Sequence, residues 1–125
     1  MEKRKIMVVN DELTFLQMMK LNLEETEKYE VLTLAGAKDI LAHVEKFRPD
    51  VILLDLVMPT IGGLEACEML NNHPIGKNTP IIVLTALDKD IDKLKAYKKG
   101  VVDYLVKPVE TEKVVATIEK VLRQD

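Results

Sequence analysis

Five short apolar runs divide the chain, and the segments between them have a helical rather than a continuous apolar period. The runs occupy residues 6–9, 31–35, 51–54, 81–84 and 104–106. The first, third and fourth runs are uninterrupted, which is typical of parallel strands covered on both faces. The second contains the polar residue Thr33, so we expect it at the edge of the sheet.

Apolar residues recur every three or four positions in the intervening segments, and this spacing marks one buried face of a helix. Gly100 is expected to end the fourth helix and Thr111 to cap the fifth. Five strands alternating with five helices predict one α/β domain, a doubly wound parallel sheet with helices on both faces. The predicted buried stripes are Leu13, Leu16, Met19 and Leu23; Ile40, Leu41, Val44 and Phe47; Leu64, Cys67 and Leu70; Leu87, Ile91 and Leu94; and Val114, Val115, Ile118, Val121 and Leu122.

Composition narrows the class of protein. The 125 residues are 47% hydrophobic, and the apolar runs are too short to span a membrane. With 18 basic against 21 acidic residues, the chain lacks the positive field that direct nucleic-acid binding requires. A single cysteine cannot form an internal disulfide, and the apolar stretch 6–9 behind the basic start is too short for a signal peptide. We therefore expect a cytoplasmic protein that binds neither membrane nor nucleic acid.

The remaining reactive side chains have structural interpretations. Cys67 lies on the stripe of the third helix and is expected to be a core residue. His43 and His73 have no acidic or cysteine partner at ligand spacing, so both are expected at the surface. The charged run 88–99 is interpreted as the solvent face of an amphipathic helix.

Polar residues follow four of the five predicted strands. Asn10 and Asp11 come after the first, and Asp55 comes after the third. Thr85 ends the fourth and Lys107 ends the fifth. Ligands of open parallel α/β sheets bind outside the carboxyl ends of the strands. The topology therefore predicts one pocket that contains two carboxylates, an amide, a hydroxyl and an ammonium group.

This set of groups suits phosphate chemistry. The carboxylates of Asp11 and Asp55 would repel each other unless a cation lay between them, and hard oxygen ligands of this kind favour Mg²⁺ with a phosphate. Lys107 and Thr85 can interact with phosphate oxygens. Asp55 is the better nucleophile candidate because it follows a fully apolar central strand, and aspartyl phosphates are known covalent intermediates.

Four segments at the predicted strand ends form a recognisable pattern: IMVVNDE (6–12), LLDLVMP (53–59), PIIVLTA (80–86) and GVVDYLVKP (100–108). Together they resemble the receiver domain of bacterial two-component response regulators, in particular single-domain receivers like the chemotaxis regulator. The resemblance covers essentially the whole chain and implies one receiver domain over residues 1–125. It also implies a flavodoxin-like sheet of five strands in the order 2-1-3-4-5, with five helices.

The resemblance assigns roles at the strand ends. It implies that Asp55 accepts a phosphoryl group from a sensor histidine kinase or a histidine phosphotransfer protein. Mg²⁺ would be held by Asp11, Asp55 and the carbonyl of Val57, with Asn10 beside them, and Lys107 would contact the phosphoryl group. In this view the chain is not an enzyme in the ordinary sense, because it catalyses only its own phosphorylation and dephosphorylation.

The resemblance also implies a switch. Thr85 would move to bond the phosphoryl group while Tyr104 reorients between inward and outward positions, and the Lys107–Pro108 peptide would be cis. The output face of the family comprises the fourth helix, the fifth strand and the fifth helix. A downstream protein effector, or a second copy in a homodimer, would bind there.

Asn10 departs from the family pattern, which usually has a carboxylate at this position. Because one negative charge is missing, we expect weaker binding of Mg²⁺. This leaves open a pseudo-receiver that binds partners without phosphorylation. A haloacid-dehalogenase-type phosphatase would need a second aspartate where Val57 stands, and a flavodoxin-like electron carrier would need a phosphate loop in place of residues 10–12.

Overall fold

A computed structural model describes residues 2–123, so the predicted domain limits, residues 1 and 125, lie outside the described residues. Five parallel strands form one sheet in the order β2-β1-β3-β4-β5. The predicted strand order and the edge position of the second strand are confirmed. The strands are β1 (Arg4–Val9), β2 (Tyr29–Leu34), β3 (Val51–Leu54), β4 (Ile81–Thr85) and β5 (Asp103–Val106).

Helices cover both faces of the sheet. Alternate residues of a strand point to opposite faces, and accordingly Ile6 and Val8 belong to one buried cluster while Met7 and Val9 belong to the other. Cys67 is fully buried in the second cluster, and burial raises the pKa of its thiol to about 11, which agrees with a core role. The helices are α1 (Leu13–Glu25), α2 (Ile40–Phe47), α3 (Gly63–Asn71), α4 (Asp90–Lys98) and α5 (Thr111–Leu122), with a 3₁₀ turn at Gly76–Asn78.

Within residues 2–123, no helix combines the length and the apolar character needed to cross a bilayer.

The predicted helix ends are partly correct. Gly100 follows α4 with φ +90°, a conformation that glycine adopts without strain, so its predicted role is confirmed. Thr111 is not the cap of α5: the N-cap is Glu110, and Thr111 is the first helical residue. The Thr111 hydroxyl instead accepts a hydrogen bond from the side-chain amide of Asn22 at 3.2 Å, which joins α1 to α5.

Two predicted buried stripes are wrong in part. Ile91 and Leu94 of α4 are 52% and 50% exposed, whereas Ala96 is fully buried. Ala96 lies two residues from Leu94, which places them on nearly opposite sides of the helix, so α4 packs on the sheet through the small residue and turns its large apolar residues to solvent. Leu13, the first residue of α1, is also exposed.

The prediction that His73 lies at the surface is wrong, since its side chain is only 10% exposed. Its Nδ1 accepts the main-chain N–H groups of Ile75 at 3.2 Å and Gly76 at 3.1 Å, in the turn after α3. Nδ1 therefore carries no proton, and Nε2–H donates to the carboxylate of Glu45 at 2.8 Å. His73 joins this turn to α2, whereas His43 is partly exposed.

Replacement of His73 by Ala should lower the free energy of unfolding by about 2 kcal/mol, because two main-chain donors lose their acceptor. Urea denaturation monitored by circular dichroism measures the change. His43→Ala removes the other histidine of the chain and should stay within about 0.5 kcal/mol of the unmodified protein. Equal losses from the two substitutions would contradict the role given to His73.

Candidate functional site

The four strand ends predicted to carry the site lie together at the carboxyl edge of the sheet. Val9 of β1 pairs with Leu54 of β3, so the residues that follow these strands are neighbours. The N–H of Asp55 donates to the carbonyl of Val9 at 3.1 Å, and the N–H of Lys107 donates to the carbonyl of Thr85 at 2.7 Å. The ladders of the sheet thus extend to the site residues and fix the spacing of their backbones.

Asp55 and Lys107 form a buried ion pair. The Lys107 ammonium lies 3.1 Å from Oδ2 of Asp55, and the two side chains are 16% and 8% exposed. The other carboxylate oxygen accepts the N–H of Val57 at 3.1 Å, so both oxygens of Asp55 are restrained. Glu12 lies farther from the same ammonium, at 3.7 Å. The Lys107–Pro108 peptide is cis, as the resemblance implied.

Two buried polar atoms at this edge have spare hydrogen-bonding capacity. Asn10 Nδ2 and Thr85 Oγ1 are the buried side-chain nitrogen and oxygen atoms that lack a hydrogen-bond partner within residues 2–123. The amide oxygen of Asn10 accepts the N–H of Glu12 at 2.9 Å, which fixes the direction of the amide. Buried polar groups are rarely left unpaired, so these atoms indicate a site that a ligand with acceptor oxygens completes.

The oxygen donors at the site fit a magnesium ion. Residues 2–123 contain no group of three or more histidine, cysteine or acidic side chains placed to hold a metal. Mg²⁺ commonly uses only one or two protein carboxylates and completes its shell with water and phosphate. The oxygen-bearing groups at this edge are the carboxylates of the exposed Asp11 and the restrained Asp55, the main-chain carbonyl of Val57 and the amide of Asn10. This set has one carboxylate fewer than the family pattern.

Tyr104 is buried and joins β5 to the loop after β4. Its hydroxyl donates to the carbonyl of Leu87 at 2.7 Å, two residues beyond Thr85. Burial, followed by the negative charge of Asp92, raises the pKa of Tyr104 above its ordinary value. The phenol therefore keeps its proton and remains a donor, and Tyr104 occupies an inward position.

The family of the chain follows from a direct match: residues 6–119 match the response regulator receiver domain. The chain belongs to this family. Receiver domains are phosphorylation-controlled signalling modules of response regulators, so the predicted family and the predicted signalling class are both confirmed.

Individual relatives agree with this receiver assignment. The chain is 34% identical over 121 residues to the alkaline phosphatase synthesis transcriptional regulatory protein PhoP of Bacillus subtilis (strain 168), covering 97% of this chain and 49% of PhoP. It is 32% identical over 120 residues to the phosphate regulon transcriptional regulatory protein PhoB of Rhizobium meliloti (strain 1021), covering 96% of this chain and 52% of PhoB. The receiver thus spans about half the length of these curated relatives.

A solved structure shows the same fold. The chemotaxis protein CheY4 of Vibrio cholerae superposes with a TM-score of 0.89 and is 31% identical, covering 95% of this receiver and 98% of that chain. The observed strand order and the five helices therefore agree with a known receiver as well as with the predicted fold.

Gly63 is a residue of the receiver site that sequence reasoning missed. Its N–H donates to the carbonyl of Leu56 at 3.0 Å, which places the start of α3 directly against the backbone after β3. A Cβ at this position would contact the Asp55 carbonyl and lie 2.5 Å from Cα of Leu56. Glycine is thus needed for the close approach that supports Asp55, and the adjacent glycines 62 and 63 were the available signal.

Gly63→Ala should lower the free energy of unfolding of this receiver by about 2 kcal/mol, because the added methyl group meets backbone atoms of Asp55 and Leu56, which cannot move aside, in addition to the Leu56 side chain. Urea denaturation measures the loss. Gly36→Ala is the matched control, since a Cβ there meets nothing within 4 Å, and its stability should change by no more than about 0.5 kcal/mol. A Gly63→Ala variant as stable as the unmodified protein would show that α3 does not need glycine to approach the backbone after β3.

Proposed function

We propose that Asp55 is the phosphoacceptor of a two-component signalling pathway. The observation that carries this proposal is the buried contact of 3.1 Å between the Asp55 carboxylate and the Lys107 ammonium at the carboxyl edge of the sheet. An oxygen of Asp55 attacks the phosphorus of a phosphohistidine on a sensor histidine kinase or a histidine phosphotransfer protein. A P–O bond forms and the P–N bond breaks, and its electron pair returns to the imidazole, which then takes up a proton.

The surrounding side chains stabilise the transferred group. Lys107 supplies a positive charge to the phosphoryl oxygens, and the Thr85 hydroxyl, which lacks a partner among the described residues, donates a hydrogen bond to one of them. Asp11, Asp55 and the carbonyl of Val57 would hold Mg²⁺, with Asn10 beside them. When bound, Mg²⁺ neutralises negative charge on the phosphoryl oxygens.

The output face of the proposed switch is α4, β5 and α5. Ile91, Leu94 and Tyr97 of α4 are about half exposed, so this helix offers apolar contacts to a partner. Thr85 connects the phosphoryl site to this face, because the Tyr104 hydroxyl fixes the loop that leads from Thr85 to α4. Phosphorylation would shift a pre-existing equilibrium of this loop. A downstream protein effector, or a second copy in a homodimer, binds the altered face.

Residues 1–125 would work as one receiver domain, in the cytoplasm. The relatives PhoP and PhoB are named as transcriptional regulators. In this receiver, 18 basic against 21 acidic residues give no positive field for direct binding of nucleic acid, which favours output through a protein partner. A haloacid-dehalogenase-type phosphatase is disfavoured because Val57, half exposed to solvent, occupies the position of its second aspartate. A flavodoxin-like electron carrier is also disfavoured, because residues 10–12 occupy the position where its phosphate loop would lie.

Incubation with the small phosphodonor phosphoramidate and Mg²⁺ should add one phosphoryl group to the protein, and chelation of the metal should prevent it. Intact-mass spectrometry detects the addition. Asp55→Asn should abolish it because the nucleophilic oxygen is lost, whereas Asp39→Asn, an exposed position at the start of α2, should retain it.

Two outcomes would contradict this proposal. Failure of the unmodified protein to gain mass while the donor stays intact would favour the pseudo-receiver, and rapid consumption of the donor without any phosphorylated protein would favour a phosphatase.

Asn10→Asp should raise the affinity for Mg²⁺ about tenfold, the factor that corresponds to ~1.4 kcal/mol, because it adds a negative charge beside the metal ligands. Isothermal titration calorimetry with MgCl₂ measures the dissociation constant. Asn72→Asp adds the same charge at the far end of α3 and should leave the affinity unchanged. An unaltered dissociation constant in Asn10→Asp would place this residue outside the influence of the metal.

A further inference from the structure

The Lys107 ammonium contacts an aromatic ring as well as a carboxylate. It lies 4.1 Å from the centroid of the Phe15 ring, on the first turn of α1. The same nitrogen is 3.1 Å from Asp55 and 3.7 Å from the mostly exposed Glu12. The first turn of α1 and its N-cap Glu12 thus contribute two neighbours of Lys107, one aromatic and one charged.

We infer that Phe15 is a positioning residue for the proposed phosphoryl transfer: its ring holds the Lys107 ammonium beside Asp55 through a cation–π contact. This inference rests on the proposed function of Asp55. An aromatic face attracts an ammonium within about 6 Å, but unlike a carboxylate it neutralises no charge. The ammonium therefore stays at the site with its full positive charge available to an incoming phosphoryl group.

The flexible side chain of Lys107 needs this restraint. Four carbons separate the ammonium from the backbone, so the ammonium can reach several different partners. Without the ring, the ammonium would lose one of its contacts beside Asp55 and would move more often toward the exposed Glu12 and solvent. With the ring, the ammonium can pass from the Asp55 carboxylate to a phosphoryl oxygen while it stays over the same aromatic face.

Packing alone does not account for a phenyl ring at this position. Phe15 is partly buried and packs against the core on the α1 and α5 face of the sheet, a task that leucine would also perform. What leucine lacks is the negative electrostatic face that the ring turns toward Lys107. The role can therefore be tested by a change that keeps the apolar contact and removes the ring.

The chain contains a matched control. Its only other phenylalanine, Phe47 at the end of α2, lies 5.4 Å from the ammonium of Lys5. Lys5 is at the start of β1, on the opposite edge of the sheet from Asp55. Phe47→Leu therefore removes a ring from beneath a lysine without touching the proposed site.

The experiment compares Phe15→Leu, Phe15→Tyr and Phe47→Leu with the unmodified protein in two measurements. The first is the NMR chemical shift of the Lys107 Cε protons without phosphodonor, because protons over an aromatic face are shifted upfield by the ring current. The second is the initial rate of phosphorylation by phosphoramidate at saturating Mg²⁺, together with the half-saturating Mg²⁺ concentration.

Phe15→Leu should move the Lys107 Cε protons downfield to the position of the other lysines and lower the phosphorylation rate about fivefold. The half-saturating Mg²⁺ concentration should not change, because the metal ligands are untouched. Phe15→Tyr, which keeps the ring face, should retain both the upfield shift and the phosphorylation rate of the unmodified protein. Phe47→Leu should match the unmodified protein in both.

An unchanged Lys107 shift in Phe15→Leu would overturn the inference, because the ring would not hold the ammonium. A changed shift with an unchanged rate would overturn it too, since the contact would have no part in the transfer. If neither the unmodified protein nor any variant takes up a phosphoryl group, the proposed function of Asp55 fails and the inferred role of Phe15 fails with it. The Lys107 chemical shift distinguishes this failure from the other, because it shows independently whether the Phe15 ring lies against the ammonium.

Discussion

The site depends on one interaction, the ion pair between the Asp55 carboxylate and the Lys107 ammonium. Asp55 follows β3 and Lys107 follows β5, so the lysine side chain crosses the end of β4 to reach its partner. Such a contact requires three parallel strands that end at the same edge. It also requires that most water be excluded, because attraction between opposite charges is much stronger away from bulk water. The hydrophobic sheet supplies both conditions.

Elements outside the sheet set the geometry around this pair. Gly63 allows α3 to begin directly against the backbone of Asp55, and the N–H of Val57 restrains one carboxylate oxygen. From the other side, Phe15 brings the start of α1 over the ammonium. The ion pair is therefore held by main-chain contacts on the acidic side and by an aromatic face on the basic side.

The loop between Thr85 and α4 connects two features of the structure, the Thr85 hydroxyl at the site and the exposed apolar surface of α4. The Thr85 hydroxyl has no acceptor within the described residues, so in the proposed function a phosphoryl oxygen would engage it without breaking an existing bond. The loop that starts at Thr85 is tied to β5 by Tyr104 and leads to the exposed Ile91 and Leu94. In the proposed switch, a small change at Thr85 would alter this exposed surface.

The sequence by itself determined the α/β class, the edge position of β2 and the residues at the carboxyl edge. Continuous apolar runs identify the central strands, and parallel strands must end at one edge, so the meeting of Asp55 with Lys107 followed from local patterns. The receiver motifs added the family, the full strand order and the cis peptide at Pro108, which local patterns would not have supplied. The fold class and the meeting of Asp55 with Lys107 were therefore accessible before any coordinates.

Only the tertiary structure decided which side of a helix faces the core and which long-range neighbours a polar group finds. The spacing of Ile91 and Leu94 resembles a buried stripe, but α4 packs through Ala96. His73 is fixed by main-chain N–H groups and by Glu45 from another helix, and Phe15 meets Lys107 from a distant part of the chain. The spacing of apolar residues indicates that a helix has an apolar face. The direction in which that face points, and the contacts between remote segments, depend on the packing of all elements together.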